Sequence, residues 1–299
     1  MPRRDRRAHT AVPALLRAVG AVSPALGGRL TLQAFFRSSP RMPVRDAEAA
    51  THQAARQERL RVNGKEVVAY RWGAKRDPAV LLLHGWGGRA AQFAPLVRDL
   101  VAEGLSVVAF DAPAHGASGG HRTDIRDWLE AIRQLDPGSG FVAVIGHSFG
   151  GLAALTAVRD GLRTPAVAVI ASAASPATFR RVFADGIGLD AETRRRFDAR
   201  FRARLGVDED EESRRYDAVT GPLPDDARLL VVHDRRDRTM PDADALRLHA
   251  AHADRSTLLR TEGLGHARIL VDDRVLDALV ALAAGAPEDS AERAARLGG

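Results

Sequence analysis

Short apolar runs alternate with longer helical segments along most of this chain, and that alternation limits the folds open to it. The runs fall at residues 80–83, 107–110, 142–145, 167–170, 229–232 and 257–259. Each is too short for a helix and has no polar residue at every second position, so each reads as a strand buried on both faces. Helical segments lie between most of them, at 89–103, 121–135, 149–161 and 242–253. Such alternation implies an α/β class fold with a doubly wound, mostly parallel sheet. Upstream, residues 58–63 and 66–71 flank Asn63-Gly64. Asn and Gly tolerate the positive φ angles of a two-residue hairpin turn, so an antiparallel edge is expected there.

One stretch, between about 175 and 226, breaks the alternation and carries no strand signal. Asp190 suits a helix N-cap, with Glu192 in the first turn. Phe197, Phe201 and Leu205 then recur on one helical face, so a helical insertion that could cap the sheet is expected. Its arginines, Arg194, Arg195, Arg196, Arg200, Arg202 and Arg204, read as a solvated face and not as an anion site.

The net charge of +6 is unevenly placed: residues 1–45 hold nine Arg against one acid, Asp5, which is +8 and leaves −2 for the remainder. Lys65 and Lys75 are the only lysines. A preference for Arg, in a chain rich in Ala and without interleaved aromatics, reads as coding bias, and no nucleic-acid partner is expected. Within this N-terminal arm, the opening MPRRDRRAH is expected to be disordered. Leu15, Leu16, Val19 and Val22 then fall near helical spacing, with Arg17 off that face. The helix either packs on the body or a partner subunit, or lies in a membrane interface with residues 11–37 as a peripheral anchor. The first reading is preferred because the apolar face is short.

No segment reaches the ~18–20 apolar residues of a membrane span. The stretch 13–36 comes nearest but is interrupted by Arg17, Pro24, Arg29 and several Gly. Arg17 also breaks the apolar run that a secretory leader requires, and a cytoplasmic location is expected. The chain then divides into the arm at 1–45, a body at 46–285, and a polar tail at 286–299 that is expected to fray. There is no cysteine, hence no disulfide, thiolate metal site or cysteine nucleophile.

The sharpest chemical signal is Gly146-His147-Ser148-Phe149-Gly150-Gly151. It follows the apolar residues 141–145 and opens a helical stretch, the strand–turn–helix context in which a G-x-S-x-G sequence lifts a serine hydroxyl above a sheet edge. Gly146 and Gly150 let strand and helix approach closely enough. A serine needs a base, and His266, in Glu262-Gly263-Leu264-Gly265-His266, leaves the last strand candidate at the same sheet edge. His147 adjoins Ser148 in sequence and is expected to point elsewhere. The base in turn needs a carboxylate, and the loop His233-Asp234-Arg235-Arg236-Asp237 offers Asp237 or Asp234. Donors for an oxyanion are expected from the backbone N–H groups of Trp86, in His84-Gly85-Trp86-Gly87-Gly88, and of Phe149. Residues 111–118, DAPAHGAS, read as a structural loop nearby. No metal-ligand spacing or phosphate-binding glycine loop is evident, and the chemistry requires no cofactor.

These residues resemble the α/β-hydrolase superfamily, from about 57 to 282. HGWGG at 84–88 is similar to that family's oxyanion loop, with His84 and Gly85 as supporting residues. GHSFGG at 146–151 is similar to its nucleophile elbow. HDRRDRTMP at 233–241 and GLGH at 263–266 are similar to its acid and base loops. The family places the acid four residues after the His of H-G-x-x-D, which selects Asp237, although Asp234 stands where Gly is usual. The resemblance implies a Ser148–His266–Asp237 triad and a cap domain at the insertion. Ser148 argues against the dehalogenases and epoxide hydrolases, whose nucleophile is Asp. The nearest group is the lysophospholipase or serine aminopeptidase-like one. The implied substrate is a small-molecule ester or thioester of a hydrophobic acyl group. A peripheral lysophospholipase- or monoacylglycerol lipase-like enzyme is the alternative, and a non-catalytic ligand receptor a more distant one.

Overall fold

The apolar runs of three or four residues become strands because burying both faces of a strand requires side chains that are apolar on both, and only the run at 257–259, on the sheet edge, is half-buried. In a computed structural model, which describes residues 3–38, 40–74 and 79–285, they form the parallel part of one eight-stranded sheet. Its strands are β1 (Arg56–Val62), β2 (Lys65–Trp72), β3 (Val80–Leu83), β4 (Val107–Asp111), β5 (Ala143–His147), β6 (Ala166–Ile170), β7 (Arg228–Asp234) and β8 (Ser256–Thr261). The spatial order is β1-β2-β4-β3-β5-β6-β7-β8. β1 and β2 pair antiparallel through a turn in which Asn63 and Gly64 have φ of 46° and 79°. Both values are positive, as a twisted two-residue hairpin demands. β2 is antiparallel to β4, and from β4 to β8 every pairing is parallel.

β4 and β5 lie on opposite sides of β3, so the chain leaves β3 toward one edge and later returns toward the other. Such a reversal opens a crevice at the carboxyl ends of the strands. The loops carrying His84, Ser148, Asp237 and His266 leave carboxyl ends of strands in this sheet, and Asp111 is the last residue of β4. The core comprises inward residues such as Val80, Leu82, Ala109, Ile145, Ala168 and Val232, covered by helix residues that include Phe93, Leu96, Val275 and Leu279.

The chain divides into two compact units, one of residues 38–174 with 218–299 and the other of residues 1–37 with 175–217. The sheet belongs to the first. In the second, the N-terminal helices Arg3–Val22 and Pro24–Phe35 join the insertion helices Pro176–Ile187, Ala191–Leu205 and Glu209–Tyr216. Helix formation from Arg3 overturns the disorder expected of the opening, since Arg and Ala are strong helix formers once a helix continues past them. The glycines that interrupt the apolar stretch are contact points. A Cβ on Gly27 would lie 2.6 Å from the Cα of Gly20, and one on Gly28 would lie 2.7 Å from the Cβ of Arg196. Around them Leu16 packs with Ala184, Ile187 and Leu189. Phe35 sets its ring edge-on to Phe183, Phe197 and Phe201 at 5.2–5.8 Å. Asp190 caps the helix Ala191–Leu205 through the N–H of Thr193, as its sequence position predicts. Arg195 and Arg196 pair with Glu192 on the exposed face. The tail from Ala286 and the first two residues lie outside the described residues.

Candidate active site

The turn after β5 holds a non-glycine residue at positive φ. Ser148 has φ 53° and ψ −120°, between β5 and the helix Phe149–Arg159. A positive φ at a non-glycine residue costs on the order of 1–3 kcal/mol and survives only where its surroundings fix it. Here the Ser148 N–H donates to the Ile170 carbonyl at 2.8 Å, and the Ser148 carbonyl accepts from the Gly151 N–H at 2.9 Å and the Ser172 hydroxyl at 2.8 Å. The expected role of the two flanking glycines has a geometric basis. A Cβ on Gly146 would sit 2.3 Å from the Gly150 carbonyl oxygen, and one on Gly150 would sit 2.1 Å from that of Leu83.

His266 and Asp237 come together from separate loops. Asp237 follows β7 and its side chain is shielded from solvent; His266 lies in the short helix Gly265–Arg268 after β8. The His266 Nδ1–H donates to Asp237 Oδ2 at 2.7 Å. The other carboxylate oxygen, Oδ1, accepts the N–H groups of Thr239 at 2.7 Å and Met240 at 3.1 Å. Burial alone would raise the Asp237 pKa, but the bond and charge of His266, with the two N–H donors, outweigh it and hold the acid below its ordinary value. An ionised Asp237 favours the Nδ1–H tautomer of His266, which leaves a lone pair on Nε2.

Of the two carboxylates on this loop, Asp237 is the one that contacts the imidazole. Asp234, which is fully buried, serves the backbone instead. Its Oδ2 accepts from the Thr261 hydroxyl and the Leu264 N–H, each at 2.9 Å, and its Oδ1 from the Arg236 N–H at 2.9 Å. Burial pushes its pKa up, and these donors bring it below the ordinary value. The carboxylate thus ties the loop bearing Asp237 to the loop bearing His266.

The loop after β3 reaches the serine through Gly85. A Cβ there would lie 3.0 Å from the Ser148 Cβ and 2.9 Å from His147 Nδ1, so only glycine lets this backbone lie against the elbow. The rings of Trp86 and Phe149, the residues expected to supply the oxyanion donors, meet edge-to-face at 5.2 Å. His84 is a buried structural residue: its Nδ1–H donates to the Gly85 carbonyl at 2.8 Å and its Nε2 accepts from the Ala112 N–H at 3.0 Å. Burial lowers its pKa to about 3 and keeps it neutral. Asp111 anchors the next loop, accepting from the Ala90 N–H at 2.8 Å, the Ala117 N–H at 2.7 Å and the Tyr70 hydroxyl at 3.0 Å.

His147 corrects the expectation that it points elsewhere. Its Nε2–H donates to the His266 carbonyl at 2.8 Å, and the two rings lie 4.8 Å apart, because the loop after β8 crosses over the elbow. Sequence reasoning also passed over Gln92, whose side-chain amide is 3.3 Å from His147 Nδ1. Neither residue carries a signal beyond its place beside a motif.

Comparison with known proteins agrees with this architecture. Residues 78–250 match the profile of the alpha/beta hydrolase fold family. A monoacylglycerol lipase of Mycolicibacterium smegmatis is 34% identical over 101 residues, covering 30% of this chain and 36% of that protein. A human serine hydrolase-like protein is 31% identical over 100 residues, covering 31% of this chain and 49% of that protein. The matches thus span between about a third and a half of these relatives. Among solved structures, a membrane phospholipase A, described as a bacterial virulence factor, superposes with a TM-score of 0.58 at 18% identity, covering 94% of this chain and 98% of its own. Mouse alpha/beta hydrolase domain-containing protein 10 does so with a TM-score of 0.57 at 17% identity, covering 76% of this chain and 96% of its own. With a family profile matched over more than half its length, on a sheet whose strand-end loops join Asp237 to His266 and set Gly85 against Ser148, this chain belongs to the α/β hydrolase fold family.

Proposed function

We propose that this protein is a serine hydrolase that cleaves a carboxylic ester, or thioester, of a hydrophobic acyl group through an acyl-enzyme. The observation that carries the reading is the 2.7 Å bond between His266 Nδ1 and the shielded Asp237 carboxylate, on the loop that also packs against the residue preceding Ser148. In the reaction the Ser148 hydroxyl attacks the acyl carbon while His266 Nε2 takes its proton. The tetrahedral oxyanion is held by the backbone N–H groups of Trp86 and Phe149. Collapse breaks the bond to the leaving alkoxide or thiolate, which receives the proton from His266. Water then attacks the acyl-enzyme, gives its proton to His266, and the serine hydroxyl is restored as the carboxylic acid leaves. The similarity to a monoacylglycerol lipase supports an acyl ester substrate. The test is turnover of p-nitrophenyl esters of graded chain length by wild type and Ser148→Ala. Loss of turnover in a folded variant is expected, and turnover that survives would refute the reading.

A second reading, a peripheral lipid contact through residues 11–37, has its own observation. Six large hydrophobic side chains are exposed among the described residues, and four of them are Val12, Leu15, Val22 and Leu26. Val12, Leu15, Val19 and Val22 follow one another at three- and four-residue steps, which puts them on one helix face. Residues 11–37 hold three Arg and no acid, and the ten residues before them add four Arg and one acid, so this segment attracts an anionic surface and repels its own copy. No helix among the described residues is long and apolar enough to cross a membrane. Cosedimentation with phosphatidylglycerol vesicles should exceed that with phosphatidylcholine vesicles and fall when Val12, Leu15 and Val22 are all changed to Ser. Equal binding by both proteins would overturn this reading.

A further inference from the structure

Three loops of the site meet in a line of side chains outside the triad. Gln92 stands in the short helix Ala90–Phe93 after the β3 loop, and its Oε1 accepts the Arg89 N–H at 3.1 Å. That bond orients the amide so that its Nε2 donor faces His147 Nδ1 at 3.3 Å. On the far side of the ring His147 Nε2 is 2.8 Å from the His266 carbonyl oxygen, which can only accept. The proton of His147 must therefore sit on Nε2, and its Nδ1 must be a lone pair, the state that Gln92 selects by donating to it. Two glycines of the β3 loop make room for this arrangement. A Cβ on Gly88 would strike Gln92 Oε1 at 2.2 Å, and one on Gly85 would lie 2.9 Å from His147 Nδ1.

We infer that Gln92 and His147 are positioning residues, which lock one His147 tautomer so that its Nε2–H holds the backbone of His266 in register with Ser148. The inference rests on the proposed hydrolase reading for its catalytic consequence, while the hydrogen-bonded line stands on geometry alone. Burial keeps His147 neutral, its pKa lowered to about 3 with the His266 ring as a further lowering influence, so the ring stays uncharged at neutral pH and the tautomer is set by its two hydrogen bonds. The charged or titratable groups that bear on the ring are His266, Asp237 and His84, and Asp237 acts in the opposite sense.

The conservative variants separate this role from simple packing. In His147→Gln the side-chain amide nitrogen falls near the former Nε2 and can still donate to the His266 carbonyl. In His147→Asn it falls near the former Nδ1 and cannot. Two measurements are made on wild type, both variants, Gln92→Leu and Ser148→Ala. The first is the rate of covalent labelling at Ser148 by a fluorophosphonate. His147→Gln should stay within about threefold of wild type, and His147→Asn and Gln92→Leu should fall by about tenfold or more, the loss of one hydrogen bond's worth of alignment. The second is the ¹⁵N imidazole spectrum, assigned by the signal missing from the His147 variants. It should report a neutral Nε2–H tautomer at pH 7 in wild type and a shift toward Nδ1–H in Gln92→Leu. Equal labelling rates for the Gln and Asn variants would overturn the positioning role, as would an Nδ1–H tautomer in wild type. If wild type is never labelled, the hydrolase reading fails by itself, and the spectrum still decides the Gln92–His147 link.

Discussion

Replacing Asp237 by Asn is the perturbation whose outcome the geometry constrains most tightly. In wild type Oδ1 accepts two backbone N–H groups, from Thr239 and Met240, while Oδ2 accepts the proton on His266 Nδ1. An Asn side chain has one acceptor and one donor end. Turning its NH₂ toward Thr239 and Met240 would face donor with donor, so its oxygen must stay there and its NH₂ must face His266. The imidazole then accepts at Nδ1 and carries its proton on Nε2, where it can no longer take the proton of Ser148. A wrong-tautomer base in a serine triad lowers kcat by about 10⁴-fold, or roughly 5.5 kcal/mol of transition-state stabilisation. Because the Asn oxygen keeps both backbone contacts, unfolding free energy should change by only about 1 kcal/mol. The assay is kcat and KM on a short-chain p-nitrophenyl ester, with urea unfolding of the same preparations. A folded variant that keeps more than about a tenth of wild-type kcat would refute the assignment of Asp237.

Asp234→Asn leaves a donor where a buried carboxylate oxygen now only accepts, and should cost about 1–3 kcal/mol in urea unfolding. The ionised Asp234 is favoured in the fold, so that difference should be full above the ordinary value of 3.8 and shrink as pH falls below it. His84 and His147 are held neutral with pKa of about 3, and His115 of about 4, each chiefly by burial. All three lie below the unfolded value of 6.5, so between these limits the unfolded chain binds more protons and stability falls as pH drops. Near pH 5 the slope should approach about 4 kcal/mol per pH unit, and a flat urea-unfolding profile from pH 6.5 to 5 would contradict the burial of these rings. Gly150→Ala would place a Cβ 2.1 Å from the Leu83 carbonyl and should prevent folding or displace the elbow, read by the loss of soluble protein or of labelling at Ser148. Gly88→Ala meets chiefly the movable end of the Gln92 side chain, at 2.2 Å, with the Gly85 carbonyl oxygen next at 3.0 Å, so it should fold yet share the labelling defect of Gln92→Leu.

The sheet and the elbow were legible in the sequence because their demands fall on local patterns. A strand buried on both faces must be an unbroken apolar run, and a turn as tight as that at Ser148 must have glycine at 146 and 150. His266 was legible from its place after the last strand. What the residues alone left open was the carboxylate, since Asp234 and Asp237 share one loop and only its folded path sends Asp237 to the imidazole. Contacts between distant segments left no local trace. Gln92 and His147 are 55 positions apart, and neither Asn63-Gly64-like punctuation nor periodicity links them. The N-terminal arm illustrates the same gap. Gly20, Gly27 and Gly28 read as interruptions of an apolar stretch, and in the fold they are where helices touch. Leu15 and Leu16, adjacent in one apparently apolar face, part company: Leu16 is buried with Ile187 and Leu189, and Leu15 faces out.

The central claim is that Ser148 is an activated nucleophile served by His266 and Asp237. Purified protein should be incubated with a fluorophosphonate and the adduct located by mass spectrometry, with Ser148→Ala and Asp237→Asn in parallel. The account predicts a single adduct on Ser148, none in Ser148→Ala, and labelling slowed by orders of magnitude in Asp237→Asn. Folded wild-type protein that stays unlabelled, or that is labelled at another residue, would contradict it.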